Sequence, residues 1–266
     1  MEVSLNMAAR NYTDPFVAHG IDISPEDQKI LNHWSEAGPV SDGLAVPRLL
    51  PFENAMEYDD FIQDILPDFP GGKSVVLWDT DDISALAGYY YTGPMKGTVY
   101  VLHGPTDVSP KFLSLTRFYD YYCRILTEYT DDGCHDYSDK FWFDIDFNNN
   151  QPMTEEETAR FHLAAQELMK DWKPENMEEE WYENLAFCAI AVLPDCYAKE
   201  LIPYIRPKED EYVLEVLCQK LVRAKCVEAV SAMEKLAKAE EKGLRIGGWS
   251  DSRVARETYE FLLEVK

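Results

Sequence analysis

Three short runs of β-branched and aromatic residues, each closed by turn residues, constrain the fold of this chain most strongly. The runs are Ser74–Trp78, Ala85–Thr92 and Thr98–His103. The segments between them, 79–82 and 93–97, are rich in Asp, Gly and Pro, which favour turns. Runs of this length and composition are typical of strands. The pattern predicts an antiparallel meander.

Helical patterns flank the predicted sheet. Ser24 followed by Pro25 is a typical helix start, and an extended stretch, Leu44 to Phe52, precedes a second helix at Ala55 to Leu66. A third helix is predicted to open at Pro110 and to pack across the sheet through one apolar stripe. The expected apolar face of the second helix is Tyr58, Phe61, Ile62 and Ile65. These elements predict an α+β domain over residues 1–150.

Every segment from Thr154 onward has a helical pattern. Thr154 with Glu157 forms a capping box, and the apolar positions that follow recur at helical spacing. A shift of 30 residues places Cys188 on Cys218 and Cys196 on Cys226. Residues 151–266 are therefore predicted to form an all-helical domain. Both a HEAT-like repeat and a non-repetitive helical bundle remain open.

Acidic residues dominate the chain, and they do so unevenly. The formal net charge is −24. Residues 1–150 contain 25 acidic against 9 basic residues, and residues 151–266 contain 24 against 16. Such a charge repels nucleic-acid phosphates and anionic membranes, so we expect neither as a partner. Solubility alone and attraction of a basic partner both explain the charge at this point.

Catalytic and metal-binding motifs are incomplete. The sequence has no GxSxG, HExxH or phosphate-binding loop, and none of its histidines lies in a recognisable catalytic motif. The histidines are His19, His33, His103, His135 and His162. Asp144 and Asp146 are two apart on a predicted strand and point to one side, as a cation site requires, but clustered Asp residues more often stabilise turns. We therefore expect a protein without catalytic activity, cofactor or metal.

The cysteines and the N-terminal residues suggest the compartment. Six cysteines occur without a CxxC pair and mostly within apolar helical patterns, which favours reduced thiols in a reducing environment. The first sixteen residues lack a cationic start followed by an apolar stretch, and no segment is apolar enough to span a bilayer. We expect a cytoplasmic protein.

Aromatic and acidic residues lie together at several places in residues 1–150, and this combination suits recognition of a basic protein. Tyr and Trp supply contact area at low entropic cost, while carboxylates pair with Arg and Lys. The predicted partner-binding residues are Asp79, Asp81, Asp82, Tyr89, Tyr91, Asp131, Asp132, Asp136, Asp139, Trp142, Asp144 and Asp146.

Residues 20–130 resemble the SUKH superfamily, which includes fungal cell-wall regulators and bacterial proteins that neutralise toxins. The resemblance begins with the helix at Ser24–Leu31 and the motif Leu49-Leu50-Pro51-Phe52-Glu53. It continues through the three predicted strands and ends with Leu115–Tyr122, which is similar to the family's final helix. The sequence departs from the family pattern in the third strand region and in its additional helical half.

The resemblance implies a non-catalytic fold that binds and occludes another protein, commonly a toxin such as a nuclease with a basic active-site surface. Our leading hypothesis is therefore an immunity protein. Two alternatives stay open at this point. One is an adaptor or regulatory scaffold that binds through the helical half, and the other is a metal-dependent hydrolase that uses Asp79, Asp81, Asp144 or Asp146.

Overall fold

The protein has a mixed α+β fold that divides into two compact units, Met1–Asn150 (unit 1) and Gln151–Lys266 (unit 2). The boundary lies after residue 150, where the sequence pattern changes from strand-type to helical. The computed structural model describes residues 11–37, 47–65, 70–79, 85–103, 107–130, 152–176, 181–206, 209–241 and 254–266.

A five-stranded antiparallel sheet organises unit 1, with its strands in sequence order. The predicted meander is confirmed by the antiparallel pairing of the three central strands. The strands are β1 (Arg48–Leu49), β2 (Ser74–Asp79), β3 (Ala85–Tyr90), β4 (Val99–His103) and β5 (Pro110–Phe112), and the helices are α1 (Asp14–Ala18), α2 (Pro25–Ala37), α3 (Phe52–Ile65) and α4 (Leu115–Thr130).

Aromatic side chains join α2 and α4 to one face of the sheet. The ring of Trp34 on α2 lies 5.5 Å from that of Trp78 on β2 and 5.5 Å from that of Phe118 on α4. The register of β2 shifts between Val76 and Trp78, as at a β-bulge. The shift places Trp78 on the same face as Tyr89, because Trp78 pairs with Ala87, two residues from Tyr89.

The opposite face of the sheet is occupied by α3, which packs against β2. Tyr100 points to this face because its neighbour Val99 is paired with Tyr89. Asp59 of α3 and burial both raise the pKa of Tyr100, with burial the larger cause. Gly88 is required beside it, since a Cβ there would lie 2.1 Å from the Tyr100 ring. Unit 1 thus has a sheet between two helical layers.

The helix predicted to begin at Pro110 begins five residues later, at Leu115, so the predicted start is wrong. Pro110–Phe112 forms edge strand β5, where the missing N–H of proline costs no ladder hydrogen bond. Ser114 then starts α4, because its Oγ accepts a hydrogen bond from the backbone N–H of Arg117 at 3.2 Å.

The described part of unit 2 is helical. The capping box at the start of its first helix is present as predicted, with Thr154 and Glu157 bonding reciprocally. The α-helices are α5 (Glu155–Met169), α6 (Tyr182–Val192), α7 (Glu211–Arg223), α8 (Val230–Glu241) and α9 (Val254–Glu264), with 3₁₀ segments at Pro174–Asn176, Asp195–Tyr204 and Val227–Ala229. Helix α6 packs on α5 and α7, and α9 packs on α7 and α8.

The two cysteine pairs that relate α6 to α7 in sequence differ in their surroundings. Cys188 and Cys218 are both buried within these helices. Cys196 is exposed within the 3₁₀ segment Asp195–Tyr204, whereas Cys226 is buried just before Val227–Ala229. Only the first pair therefore occupies comparable positions.

Candidate protein-binding surface

Most of the predicted partner-binding residues lie outside the residues that the structure describes. These are Asp81, Asp82, Asp131, Asp132, Asp136, Asp139, Trp142, Asp144 and Asp146. The prediction for them is neither supported nor contradicted. The structure places the other three, Asp79, Tyr89 and Tyr91.

Asp79 is buried at the end of β2, and the expectation that it faces a partner needs correction. Its carboxylate accepts two hydrogen bonds from Arg48, at 2.9 Å from Nε and 3.1 Å from Nη2. Arg48 pairs with Asp79 in the β1–β2 ladder, so the ion pair fastens the edge strand. A carboxylate held by both of its oxygens is also a poor cation ligand, which weakens the hydrolase alternative.

Tyr89 is wholly buried, so the expectation that it is exposed is wrong. Its hydroxyl donates a hydrogen bond to Asp27 Oδ2 on α2 at 2.7 Å. Burial first, and Asp27 second, raise the pKa of Tyr89 far above its usual value. Tyr89 was predicted to bind a partner, but α2 covers its side of the sheet.

Tyr91 remains partly exposed at the end of β3. Its backbone N–H donates to Lys73 O at 2.9 Å. Burial and then Asp59 of α3 raise the pKa of Tyr91, so the phenol lies within electrostatic range of this helix. Among the described partner-binding candidates, Tyr91 is therefore the one at the surface, and it borders α3.

Helix α3 presents an acidic outer side that sequence reasoning did not single out. Glu53, Glu57 and Asp60 are exposed at helical spacing, and Phe61 beside them is 56% exposed. We name these four residues the α3 face. The helix contains no Lys or Arg, and within the described residues no ion pair joins Glu53, Glu57 or Asp60 to a base.

Phe61 was predicted to lie in the core, and this prediction is wrong. Ala55 and Ile62, seven residues apart, make the buried stripe of α3, and Phe61 lies one position outside it. The spacing of Glu53, Glu57 and Asp60 was the available signal. These acids mark the outer side of the helix, and Phe61 follows Asp60 directly.

Only one acid of the α3 face lies where it stabilises its own helix: Glu53 is in the first turn and complements the helix dipole, whereas Glu57 and Asp60 lie beyond it. Glu53 and Glu57 repel each other at a spacing of four residues, as do Glu57 and Asp60 at a spacing of three. Solubility requires neither this alignment nor the exposed aromatic ring. The arrangement suits contact with a positively charged surface.

Unit 2 uses its charges differently, in a buried group around Lys220. The Lys220 ammonium donates to the backbone carbonyl of Leu193 and lies 2.8 Å from Asp195 Oδ1. Arg223 binds the same carboxylate at 3.1 Å. Burial and the nearby Arg223 lower the pKa of Lys220 to about 8, against the opposing effect of Asp195. These contacts join α7 to the start of the 3₁₀ segment Asp195–Tyr204.

His162 makes two contacts within unit 2. Its ring stacks on Tyr197 with centroids 3.6 Å apart, and its Nε2 lies 2.8 Å from Glu200 Oε1. Within the described ranges, no group of three or more His, Cys, Asp or Glu residues is arranged to hold a metal ion. Asp81, Asp144 and Asp146 lie outside those ranges.

A second buried polar group joins three segments of unit 2. The Trp172 indole Nε1 donates to the Tyr182 hydroxyl at 2.9 Å, and this hydroxyl donates to Glu209 Oε1 at 2.6 Å. Glu209 is 2% exposed. No sequence motif indicates this chain of hydrogen bonds, because its three residues are far apart in sequence and each is common in helical proteins.

None of the helices in the described part of the chain combines the length and apolar character needed to cross a bilayer. Comparisons of the chain with protein-family models, with curated proteins and with solved structures find no match.

Proposed function

We propose that this protein is a non-catalytic binding protein that recognises a basic protein surface through the α3 face. The observation that carries the proposal is the exposed Phe61 among Glu53, Glu57 and Asp60, on a helix without a basic residue. Glu57 repels both Glu53 and Asp60, and the three acids pair with no base in the described residues, so they are available to a partner.

The two kinds of residue on the α3 face would have different roles in binding. Carboxylates attract Lys and Arg over a distance of about 10 Å in dilute salt and so raise the association rate. An exposed aromatic ring desolvates on contact and slows dissociation. Tyr91 borders the helix and would extend the contact surface.

We further propose that unit 1 is SUKH-like, that unit 2 is HEAT-like and that the partner is a toxin such as a nuclease. The antiparallel sheet between helices supports the first proposal. Successive packing of α5, α6 and α7 supports the second. A basic nuclease surface suits an acidic inhibitor, because carboxylates can occupy the positions of phosphates. Residues 1–150, with 25 acidic against 9 basic residues, support a basic partner.

The experiment is a binding measurement between the full chain and a purified basic toxin domain encoded beside its gene. Calorimetry and surface plasmon resonance would compare the wild type with Phe61→Ala and with the double variant Glu57→Lys/Asp60→Lys. We expect Phe61→Ala to weaken binding about tenfold or more, chiefly through dissociation. We expect the double variant to slow association about tenfold and to reduce its salt dependence.

Helix α5 provides the matched control. Leu163 is 66% exposed on this helix, and Glu156 is an exposed acid in its first turn. Leu163→Ala and Glu156→Lys change the same kinds of group outside the α3 face and are expected to leave binding unchanged. An affinity that does not vary between about 50 and 300 mM salt, or equal losses in both sets of variants, would contradict the proposal.

A second candidate function is an adaptor that binds through unit 2. It is favoured by Leu163 and by Tyr212, which is 63% exposed at the start of α7. In that case Leu163→Ala and Tyr212→Ala would weaken the complex, and the α3 variants would not.

A further inference from the structure

Three segments of unit 2 meet at a buried chain of hydrogen bonds that ends on a carboxyl group. Trp172 follows α5, Tyr182 begins α6, and Glu209 precedes α7. The hydrogen bonds run from Trp172 Nε1 to the Tyr182 hydroxyl and from there to Glu209 Oε1, with all three residues buried. The protonation state of Glu209 therefore affects a contact between segments 37 residues apart in sequence.

The second oxygen of Glu209 is buried and unbonded. Within the described residues, Glu209 Oε2 accepts no hydrogen bond, and Arg206 Nη1 lies 3.8 Å from it and is also without a hydrogen bond. The Arg206 guanidinium lies over the Tyr204 ring at 5.2 Å, and Tyr204 stacks on Trp172 at 4.1 Å. Glu209 thus faces a positive charge without a direct contact that would fully offset its burial.

Burial raises the pKa of Glu209 above its usual value, and neither the Tyr182 hydrogen bond nor Arg206 fully offsets this effect. Asp210, the N-cap of α7, also raises it, although its backbone N–H donates a hydrogen bond to Glu209 Oε1 at 3.3 Å. Burial raises the pKa of Tyr182 as well, so its hydroxyl stays protonated as a donor. Burial and Asp210 also raise the pKa of Glu183 on α6, and Lys208 lies outside the described residues.

We infer that Trp172, Tyr182 and Glu209 form a proton-responsive junction, in which Glu209 takes up a proton from mildly acidic solution while unit 2 stays folded. A neutral carboxyl is a weaker acceptor than a carboxylate, so the Tyr182–Glu209 hydrogen bond weakens. The Tyr182 hydroxyl then becomes a weaker acceptor for the Trp172 indole N–H, because bonds in a chain polarise one another. Arg206 loses its facing negative charge in the same step.

The indole N–H of Trp172 reports this event directly. The chain contains six tryptophans, so the indole region of a ¹H–¹⁵N spectrum of the full protein is simple. Backbone-to-side-chain assignment identifies the Trp172 signal, and its loss in Trp172→Phe confirms it. As the pH falls from about 8 to about 3.5, we expect this signal to move with a midpoint above the ordinary glutamate value of about 4.3.

Three variants separate the junction from general acidification of a highly charged chain. Glu209→Gln removes the titrating group and is expected to leave the Trp172 signal insensitive to pH. Tyr182→Phe breaks the hydrogen-bond chain and is expected to remove most of the shift. Glu183→Gln changes an exposed acid on the same helix and is expected to preserve the titration.

The inference is overturned by a wild-type Trp172 signal that stays constant over this range. A midpoint at or below the ordinary glutamate value would overturn it too, as would an unchanged titration in Glu209→Gln. The inference concerns unit 2 alone and does not depend on the partner proposed for the α3 face.

Discussion

Helices α3 and α5 are similar in length and acidity, yet their acids have different structural roles. On α5, Glu155, Glu156 and Glu157 occupy the first turn, where they complement the helix dipole and Glu157 completes the capping box. On α3, Glu57 and Asp60 lie beyond the first turn and repel each other. The first-turn acids of α5 are explained by its own stability. Glu57 and Asp60 of α3 are not, which is why we assign them to recognition.

The acid–base pairs of the two units differ in which partner is buried. In unit 1, Arg48 remains half-exposed beside the buried Asp79. In unit 2, the cation itself is buried, because Lys220 lies beneath Asp195 and the carbonyl of Leu193. Loss of the acid therefore has different consequences in the two units. Without Asp79, the Arg48 guanidinium can be hydrated by solvent. Without Asp195, the Lys220 ammonium stays buried.

The largest expected effect is that of Asp195→Ala. It leaves the Lys220 ammonium buried without its counter-charge, so we expect the free energy of unfolding to fall by about 3–5 kcal/mol at pH 7. Asp79→Ala is the comparison in unit 1, with an expected loss of about 1–2 kcal/mol. Urea denaturation of both variants measures the difference, and equal losses would refute it.

Substitutions of two adjacent residues of α3, Phe61 and Ile62, are expected to differ nearly as much in their effect on stability. Ile62→Ala opens a cavity between α3 and the sheet and should cost about 2–4 kcal/mol of stability. Phe61→Ala removes an exposed ring and should change stability by no more than about 0.5 kcal/mol. A large loss of stability in Phe61→Ala would place the ring in the core and remove the anchor from the α3 face.

Lys220 is expected to make stability rise in alkaline solution. Its pKa is about 8 in the folded protein and 10.5 when unperturbed, so between these values the unfolded chain binds more protons than the folded one. The free energy of unfolding should therefore increase with pH over this window, by on the order of 2–3 kcal/mol. Lys220→Met should flatten this part of the curve of unfolding free energy against pH. An unchanged slope would contradict the burial of a charged lysine.

Glu209 is expected to have the opposite effect to Lys220, because it makes the free energy of unfolding increase as the solution is acidified. Its pKa is raised on folding, so its contribution is full below the unfolded pKa and is lost as the pH rises through the folded one. The wild type should therefore gain stability relative to Glu209→Gln on acidification from neutral pH. Thermal unfolding of both proteins at each pH measures this difference in stability. A difference that stays constant with pH would contradict the prediction.

The smallest expected effect has opposite signs on the two compared helices. Asp60→Lys on α3 replaces the repulsion between Asp60 and Glu57 by an attraction and should stabilise the protein by a few tenths of a kcal/mol. Glu156→Lys on α5 puts a positive charge at a helix N-terminus and should destabilise it by a similar amount. Chemical denaturation in low salt measures both changes. The same sign for both would contradict the comparison.

Local signals explain which parts of the fold were predictable. Ser24 and Thr154 start their helices through caps that involve residues only three positions away. The central strands follow from runs of β-branched and aromatic residues. Pro110 misled the prediction because proline suits both the first turn of a helix and an edge strand. Only the pairing of Tyr100 with Pro110 distinguishes the two.

The candidate site was less predictable because exposure depends on neighbours distant in sequence. Tyr89 lies in a strand whose alternation allowed one exposed face, but α2 covers that face through Asp27. Phe61 and Ile62 are equally apolar in sequence, and the sheet buries only Ile62.

By itself, the sequence determined the acidity of residues 1–150, the antiparallel strands and the change to helices after residue 150. These properties depend on composition and on interactions between nearby residues. The tertiary structure alone decided which acids are held by bases, that Phe61 is exposed, and that Trp172, Tyr182 and Glu209 meet. Burial and charge pairing arise when distant segments pack together, and no local pattern specifies that packing.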